Sequence, residues 1–146
     1  MLLVNKGGAR LTEDALQPRG RKRWPSCLYM DGPGILGFSM EALPKLIEQV
    51  LREAELEDDD IDLYLMHQAT KKLLTQLREH LSVDEKRFPI ELEHVGNTVS
   101  CTLPILIDQL RNDGRLSCGK KSILVGFGVG LSWAGCAWTE SVDSKR

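Results

Sequence analysis

The chain reads as an α/β domain with a mixed sheet and packed helices, and two observations predict this. Short, largely apolar runs such as Ile61 to Met66 have the length and composition of strands buried on both faces. Other stretches repeat apolar residues every three or four positions, the period of a helix with one buried stripe. Strands alternating with such helices build a sheet covered by helices. A chain of 146 residues, 42% hydrophobic and 27% charged, has room for one modest core and excludes disorder throughout. A formal net charge of −2 excludes a global pull toward nucleic acid or an acidic membrane surface, so partners must be argued locally.

Residues 1–27 are the least patterned part: Gly7, Gly8, Pro18, Gly20 and Pro25 interrupt any period, and Arg19, Arg21, Lys22 and Arg23 form a basic run. They read as an irregular basic loop or arm, solvated or docking a phosphate or acidic protein surface. The domain proper is expected over 28–140, with 141–146 a polar tail. Leu28 to Met30 reads as a very short strand before the turn-forming Asp31-Gly32-Pro33-Gly34. A helix follows, apolar at Leu43, Leu46, Ile47, Val50, Leu51 and Ala54, with Pro44 expected in its first turn, where a missing N–H costs little.

Glu53 to Asp62 holds seven acids in ten residues and reads as a solvated connection, without the glycine-centred spacing of a calcium loop. Ile61 to Met66 is the first buried strand and delivers His67 at its carboxyl end, where open α/β sheets bind ligands. Leu73, Leu74, Leu77 and Leu81 then mark the packed face of a second helix, leaving Lys71, Lys72, Gln76 and Glu79 toward water. Phe88, Ile90 and Leu92 alternate with Pro89, Glu91 and Glu93, the period of a strand, and the proline places it at an edge or start. A third helix is expected from about Ser100 to Asn112, with Gly114 at the C′ position. Ser122 to Phe127 is a second buried strand, and Gly126-Phe127-Gly128-Val129-Gly130 reads as a tight turn into a last strand, Leu131 to Trp138.

The chemistry is expected at two tips. His67 ends one apolar run, and Asn97, in Gly96-Asn97-Thr98, lies thirty residues later, about one strand-helix-strand unit. A parallel sheet brings an imidazole and an amide so spaced to one edge, where two neutral donors stabilise a developing oxyanion. Cys27, Cys101, Cys118 and Cys136 contain no C-x-x-C pair, and His67, His80 and His94 have no metal-ligand spacing. They read as four reduced structural thiols in a cytoplasmic protein with no metal. No apolar run is long enough to span a bilayer, and the first residues lack the pattern of a signal peptide.

Taken as a set, His67-Gln68-Ala69, Gly96-Asn97-Thr98 and Gly126-Phe127-Gly128-Val129-Gly130-Leu131-Ser132-Trp133 resemble, in order and spacing, the carboxyl-terminal half of beta-ketoacyl-acyl-carrier-protein synthase III. Tyr29-Met30-Asp31-Gly32 before an amphipathic helix and Gly7-Gly8-Ala9-Arg10 before that extend the resemblance over nearly the whole chain. The resemblance implies a thiolase-like fold, here an incomplete carboxyl-terminal half, and an acyltransferase working in fatty acid or polyketide-like biosynthesis. The implied reaction condenses an acyl thioester held on a cysteine with malonyl carrier protein, losing CO₂. His67 and Asn97 match the family's catalytic histidine and asparagine. Phe127 matches the phenylalanine lining the acyl channel, and Val129 falls in the loop whose N–H helps form the oxyanion hole. Gln68, Ala69, Thr70 and Lys72 fall where carrier protein or coenzyme A is contacted. The implied partners are acyl carrier protein, acyl-coenzyme A and malonyl carrier protein as substrates, with no bound cofactor, and a homodimer when complete. No nucleic acid or membrane is implied.

Three positions depart from the family pattern. Val129 stands where glycine is common, so a positive φ there becomes costly for a β-branched residue. Thr70 replaces an asparagine, and Lys72 keeps a positive charge without the fork of an arginine. The nucleophilic cysteine matches none of the four here and is expected from a missing amino-terminal half or a partner subunit. Two other classes compete with this reading. A dinucleotide-binding module is suggested by Gly126, Gly128 and Gly130, but that fingerprint opens a helix early in a βαβ unit, whereas this turn joins two strands. The alternative left is a non-catalytic thiolase-fold interaction module, or a subunit needing a partner chain.

Overall fold

The computed structural model describes residues 2–4, 28–128 and 131–142. The basic run, Gly7 to Arg10, Cys27, Val129 and the end of the polar tail lie outside the described residues. Leu2–Val4, within the stretch expected to be irregular, is a strand (β1) that pairs antiparallel with Leu28–Met30 (β2), Leu3 opposite Tyr29.

The first helix, α1, is longer than its apolar period suggested, running Gly32–Glu53. Asp31 caps it: Oδ1 accepts the Gly34 N–H at 3.0 Å, so the expected turn residues instead form the helix's first turn, with Pro33 at its start. Pro44 is therefore well inside the helix and leaves the Met40 carbonyl without its usual donor. The helix survives this because Leu43 and Ile47, on either side of the proline, are buried in the core.

The acidic connection is exposed, as expected, yet three of its carboxylates are tied into the fold. Asp58 accepts from the Tyr64 hydroxyl and from Arg87 Nη1 at 2.9 Å, Asp62 from Lys120 Nζ at 2.6 Å, and Asp60 faces Lys121 at 3.6 Å. The Tyr64 hydrogen bond, first, and Arg87 hold the Asp58 carboxyl below the usual range. Leu63–Met66 forms β3, every residue buried. Lys71–Leu81 forms α2, capped by Thr70 and buried along Leu73, Leu74 and Leu77, with Lys71, Lys72, Gln76 and Glu79 exposed as predicted.

No strand forms at Phe88 to Leu92. Phe88 is buried, but Pro89 has no N–H to offer a ladder, and the neighbouring backbone is held by a side chain instead: the Glu91 N–H donates to Gln68 Oε1 at 2.9 Å. Thr102–Asn112 forms α3, led in by a single tight turn at Val99–Cys101 and closed by Gly114 at C′ with φ +80°, the left-handed conformation its glycine was expected to supply.

Lys121–Gly128 (β4) pairs parallel with β3 and antiparallel with Ser132–Thr139 (β5), giving the mixed sheet β3-β4-β5. The glycine segment is thus mostly strand rather than turn: Gly126, Phe127 and Gly128 pair with Ala134, Trp133 and Ser132. α1 and α2 cover one face through Leu43, Ile47, Leu74 and Leu77 against Tyr64, Met66, Ile123 and Val125. α3 covers the other through Leu106 and Leu110 against Leu63 and Leu65. Gly135 lets α1 lie close against β5, since a Cβ there would lie 3.0 Å from the Leu124 carbonyl and 3.3 Å from Leu46. Among the described residues no helix is long and apolar enough to cross a membrane.

Candidate active site

The carboxyl end of the sheet opens into a cavity of about 850 Å³, and His67, Asn97 and Phe127 all line it. They reach it by different routes. β3 hands over to His67, whose N–H continues the ladder by donating to the Val125 carbonyl at 2.8 Å. Phe127 comes from the neighbouring β4 and sets its ring edge-on to the imidazole, centroids 5.3 Å apart. Asn97 does not end a strand, as its spacing suggested, but stands on the loop entering α3. Gly96 turns that loop with φ +62°, its N–H donating to the Leu92 carbonyl at 2.9 Å.

Both polar side chains are fixed at one end. The Val99 N–H donates to Asn97 Oδ1 at 2.8 Å, and because a backbone N–H can only donate, the amide oxygen is assigned and Nδ2 is left as the free donor. His67 Nδ1 lies 2.6 Å from Thr102 Oγ1, which leaves Nε2 as the ring nitrogen for the cavity. Burial of the ring lowers the His67 pKa below its ordinary value, so the imidazole is neutral at pH 7. A neutral ring and a primary amide carry no net charge into a site lined by Ile35, Leu36, Leu73, Leu103 and Leu131, where developing negative charge is poorly solvated and strongly felt. Gly126 and Gly128 also face the cavity, and a Cβ at either would meet nothing within 4 Å. The missing side chains keep that space open.

The other expected contacts divide. Ala69, Thr70 and Lys72 line the same cavity, Thr70 and Lys72 exposed at its rim. Gln68 does not join them. It is 2% exposed and spends its amide internally, donating to the Met66 carbonyl at 2.8 Å and accepting from Glu91, so the contact expected of it is corrected to a structural tie. Cys101, Cys118 and Cys136 are free, and all three are exposed. None of them lines the cavity. Thr102 and Val99 were missed, since nothing in the local pattern distinguishes a threonine in a helix's first turn from any capping residue. A smaller cavity of about 420 Å³, at the opposite end of β3, is lined by Asp59 and Lys86 and by charges already engaged, among them Lys120 with Asp62 and Arg115 with Glu91 at 2.6 Å.

Residues 51–139 match the model of the family 3-oxoacyl-[acyl-carrier-protein] synthase III, C terminal. The chain belongs to this family. The matched span of the synthase III domain contains His67, Asn97 and Phe127 together with β3, α2, α3, β4 and β5. The beta-ketoacyl-[acyl-carrier-protein] synthase III of Clostridium tetani is 39% identical over 107 residues, 73% of this chain and 32% of that protein. The Rhodopirellula baltica protein of the same name is 30% identical over 135 residues, 91% of this chain and 38% of its own length. The crystal structure of a 3-oxoacyl-(acyl-carrier protein) synthase from Burkholderia xenovorans superimposes with a TM-score of 0.84 at 33% identity, covering 96% of this chain and 40% of that one. The fold is therefore thiolase-like, and the synthase III domain seen here spans about a third of the length of the curated relatives it matches.

Proposed function

We propose that this domain supplies the decarboxylating half of a beta-ketoacyl-acyl-carrier-protein synthase III, with the acylated cysteine coming from an amino-terminal half or partner chain. The malonyl thioester enters past Thr70 and Lys72, whose cation meets the acidic carrier or phosphate. Its carbonyl oxygen is placed between His67 Nε2 and Asn97 Nδ2. The bond to the terminal carboxylate breaks, CO₂ leaves, and the electron pair passes into an enolate whose oxygen the two donors hold. The enolate carbon then attacks the acyl thioester carbonyl, and the cysteine thiolate departs. Phe127 holds the imidazole edge-on and walls the acyl channel, and the Val129 N–H serves the acyl carbonyl's oxyanion. The place of work is the cytoplasm, where acyl carrier protein and coenzyme A thioesters are available.

One observation carries this reading: a single cavity receives the second ring nitrogen of His67 and the spare amide donor of Asn97, each side chain with its other end already bonded. Donors fixed before substrate arrives need no reorganisation in the transition state. The test is condensation of labelled acetyl-coenzyme A with malonyl carrier protein by this chain alone and with a co-expressed cysteine-bearing half. The chain alone is expected to form no acyl-enzyme and no product, and the pair to form both. Label taken up on one of this chain's own cysteines contradicts the proposal, as does a pair that acylates but never releases CO₂.

A further inference from the structure

The hydroxyl of Thr102 sits between the His67 imidazole and the Val99 carbonyl, and its single proton cannot serve both neighbours. Thr102 Oγ1 is 2.6 Å from His67 Nδ1 and 3.0 Å from the Val99 carbonyl oxygen. If the proton goes to Val99, Nδ1 must carry the imidazole's hydrogen and donate to Thr102, leaving Nε2 with a lone pair toward the cavity. If it goes to His67, Nδ1 accepts and Nε2 carries the hydrogen. The Val99 carbonyl does not need the hydroxyl, because the Thr102 backbone N–H already donates to it. His67 Nδ1 has no such second partner among the described residues, and its contact with Thr102 is the shorter one. The geometry points to Thr102 as a positioning residue that donates to His67 Nδ1 and so fixes the Nε2–H tautomer facing the cavity.

Thr102 is suited to the task. It is 3% exposed, so water does not compete for the hydroxyl, and as the first residue of α3 its backbone is held by the helix. The same short turn orients the second donor. Val99 occupies the left-handed region with φ +57°, a conformation a β-branched residue avoids unless its surroundings impose it. There its N–H reaches Asn97 Oδ1 and its carbonyl meets Thr102. His67 and Asn97 are thus registered to one another through Thr102 and the strained Val99 backbone, although they come from different elements.

This inference rests on the proposed decarboxylating role, but its first readout does not. In the full chain labelled with ¹⁵N-histidine, the His67 signals are identified by their loss in His67→Gln. The expected pattern is a pyridine-like, hydrogen-bonded Nδ1 and a pyrrole-like Nε2 at pH 7. Thr102→Ser retains it, and the isosteric Thr102→Val moves Nδ1 to a non-bonded shift or mixes the tautomers. In the completed enzyme, Thr102→Val slows CO₂ release about five- to tenfold, the worth of one neutral hydrogen bond, while cysteine acylation is unchanged and Thr102→Ser recovers most of the rate. A protonated Nδ1 in the unaltered chain overturns the inference without need of any variant, and so does a Thr102→Val protein whose ¹⁵N shifts equal the parent's. Should His67→Gln leave CO₂ release untouched while the tautomer is as stated, the decarboxylating role falls and the assignment to Thr102 stands.

Discussion

Replacing His67 or Asn97 with alanine in the completed synthase is expected to slow malonyl decarboxylation by roughly two to three orders of magnitude, the loss seen when one preset oxyanion donor is removed. Acylation of the cysteine should change little, because the donors act on the enolate oxygen and not on the thiol. This split matters more than the size of either loss. His67 packs edge-on to Phe127, so alanine there also removes contact area from the cavity wall. Structural damage of that kind would slow both half-reactions together. Rates of CO₂ release and of acyl transfer, measured on the same preparations, separate the two explanations.

The second large effect concerns the fold. Arg111 leaves α3 to clamp the residue after β5: its Nε donates to Glu140 Oε2 at 2.8 Å and its Nη2 to Oε1 at 3.1 Å, and the guanidinium lies over Trp138, 5.6 Å from the ring centroid. The Glu140 side chain is fully buried in this bidentate grip and also accepts the Val142 N–H. Arg111→Ala is expected to destabilise the protein by about 3 kcal/mol at pH 7, because it strands a buried carboxylate without its partner. The Arg111 hydrogen bonds hold the Glu140 carboxyl below its ordinary range. A group whose folded pKa is depressed stabilises above the unfolded value and loses that contribution as pH falls through the folded one. The gap in urea midpoint between parent and Arg111→Ala should therefore be widest near neutrality and narrow below about pH 4. A gap that stays constant with pH would assign the loss to packing against Trp138 alone.

The sequence was most legible where burial alone decides structure. The apolar run ending at Met66 is buried on both faces, and the leucines of α2 and α3 point where their periods said. It was least legible where one side chain overrode the local pattern. Pro44 reads as a helix start, but the Asp31 cap sets the start twelve residues earlier, and core burial of Leu43 and Ile47 carries the helix through the proline. Phe88 to Leu92 has the alternation of a strand, but Gln68 takes the place of a neighbouring strand's backbone. For the site, His67 was visible as the end of a strand, and the shared cavity with Asn97 agrees with the spacing although the route does not. Thr102 was not visible at all, since its role depends on a tertiary approach across thirty-five positions that no local pattern encodes.

The measurement that tests the central claim most directly is CO₂ release by Asn97→Asp in the completed synthase. The carboxylate keeps an oxygen for the Val99 N–H, so the loop and the left-handed Val99 retain their support, but the group turned to the cavity becomes an acceptor carrying negative charge. If Asn97 Nδ2 donates to the enolate, decarboxylation must fall at least as far as in Asn97→Ala while cysteine acylation continues at the parent rate. An Asn97→Asp enzyme that releases CO₂ as fast as the parent would show that no donor is needed at this position, and the pairing of His67 with Asn97 as the decarboxylating device would be wrong.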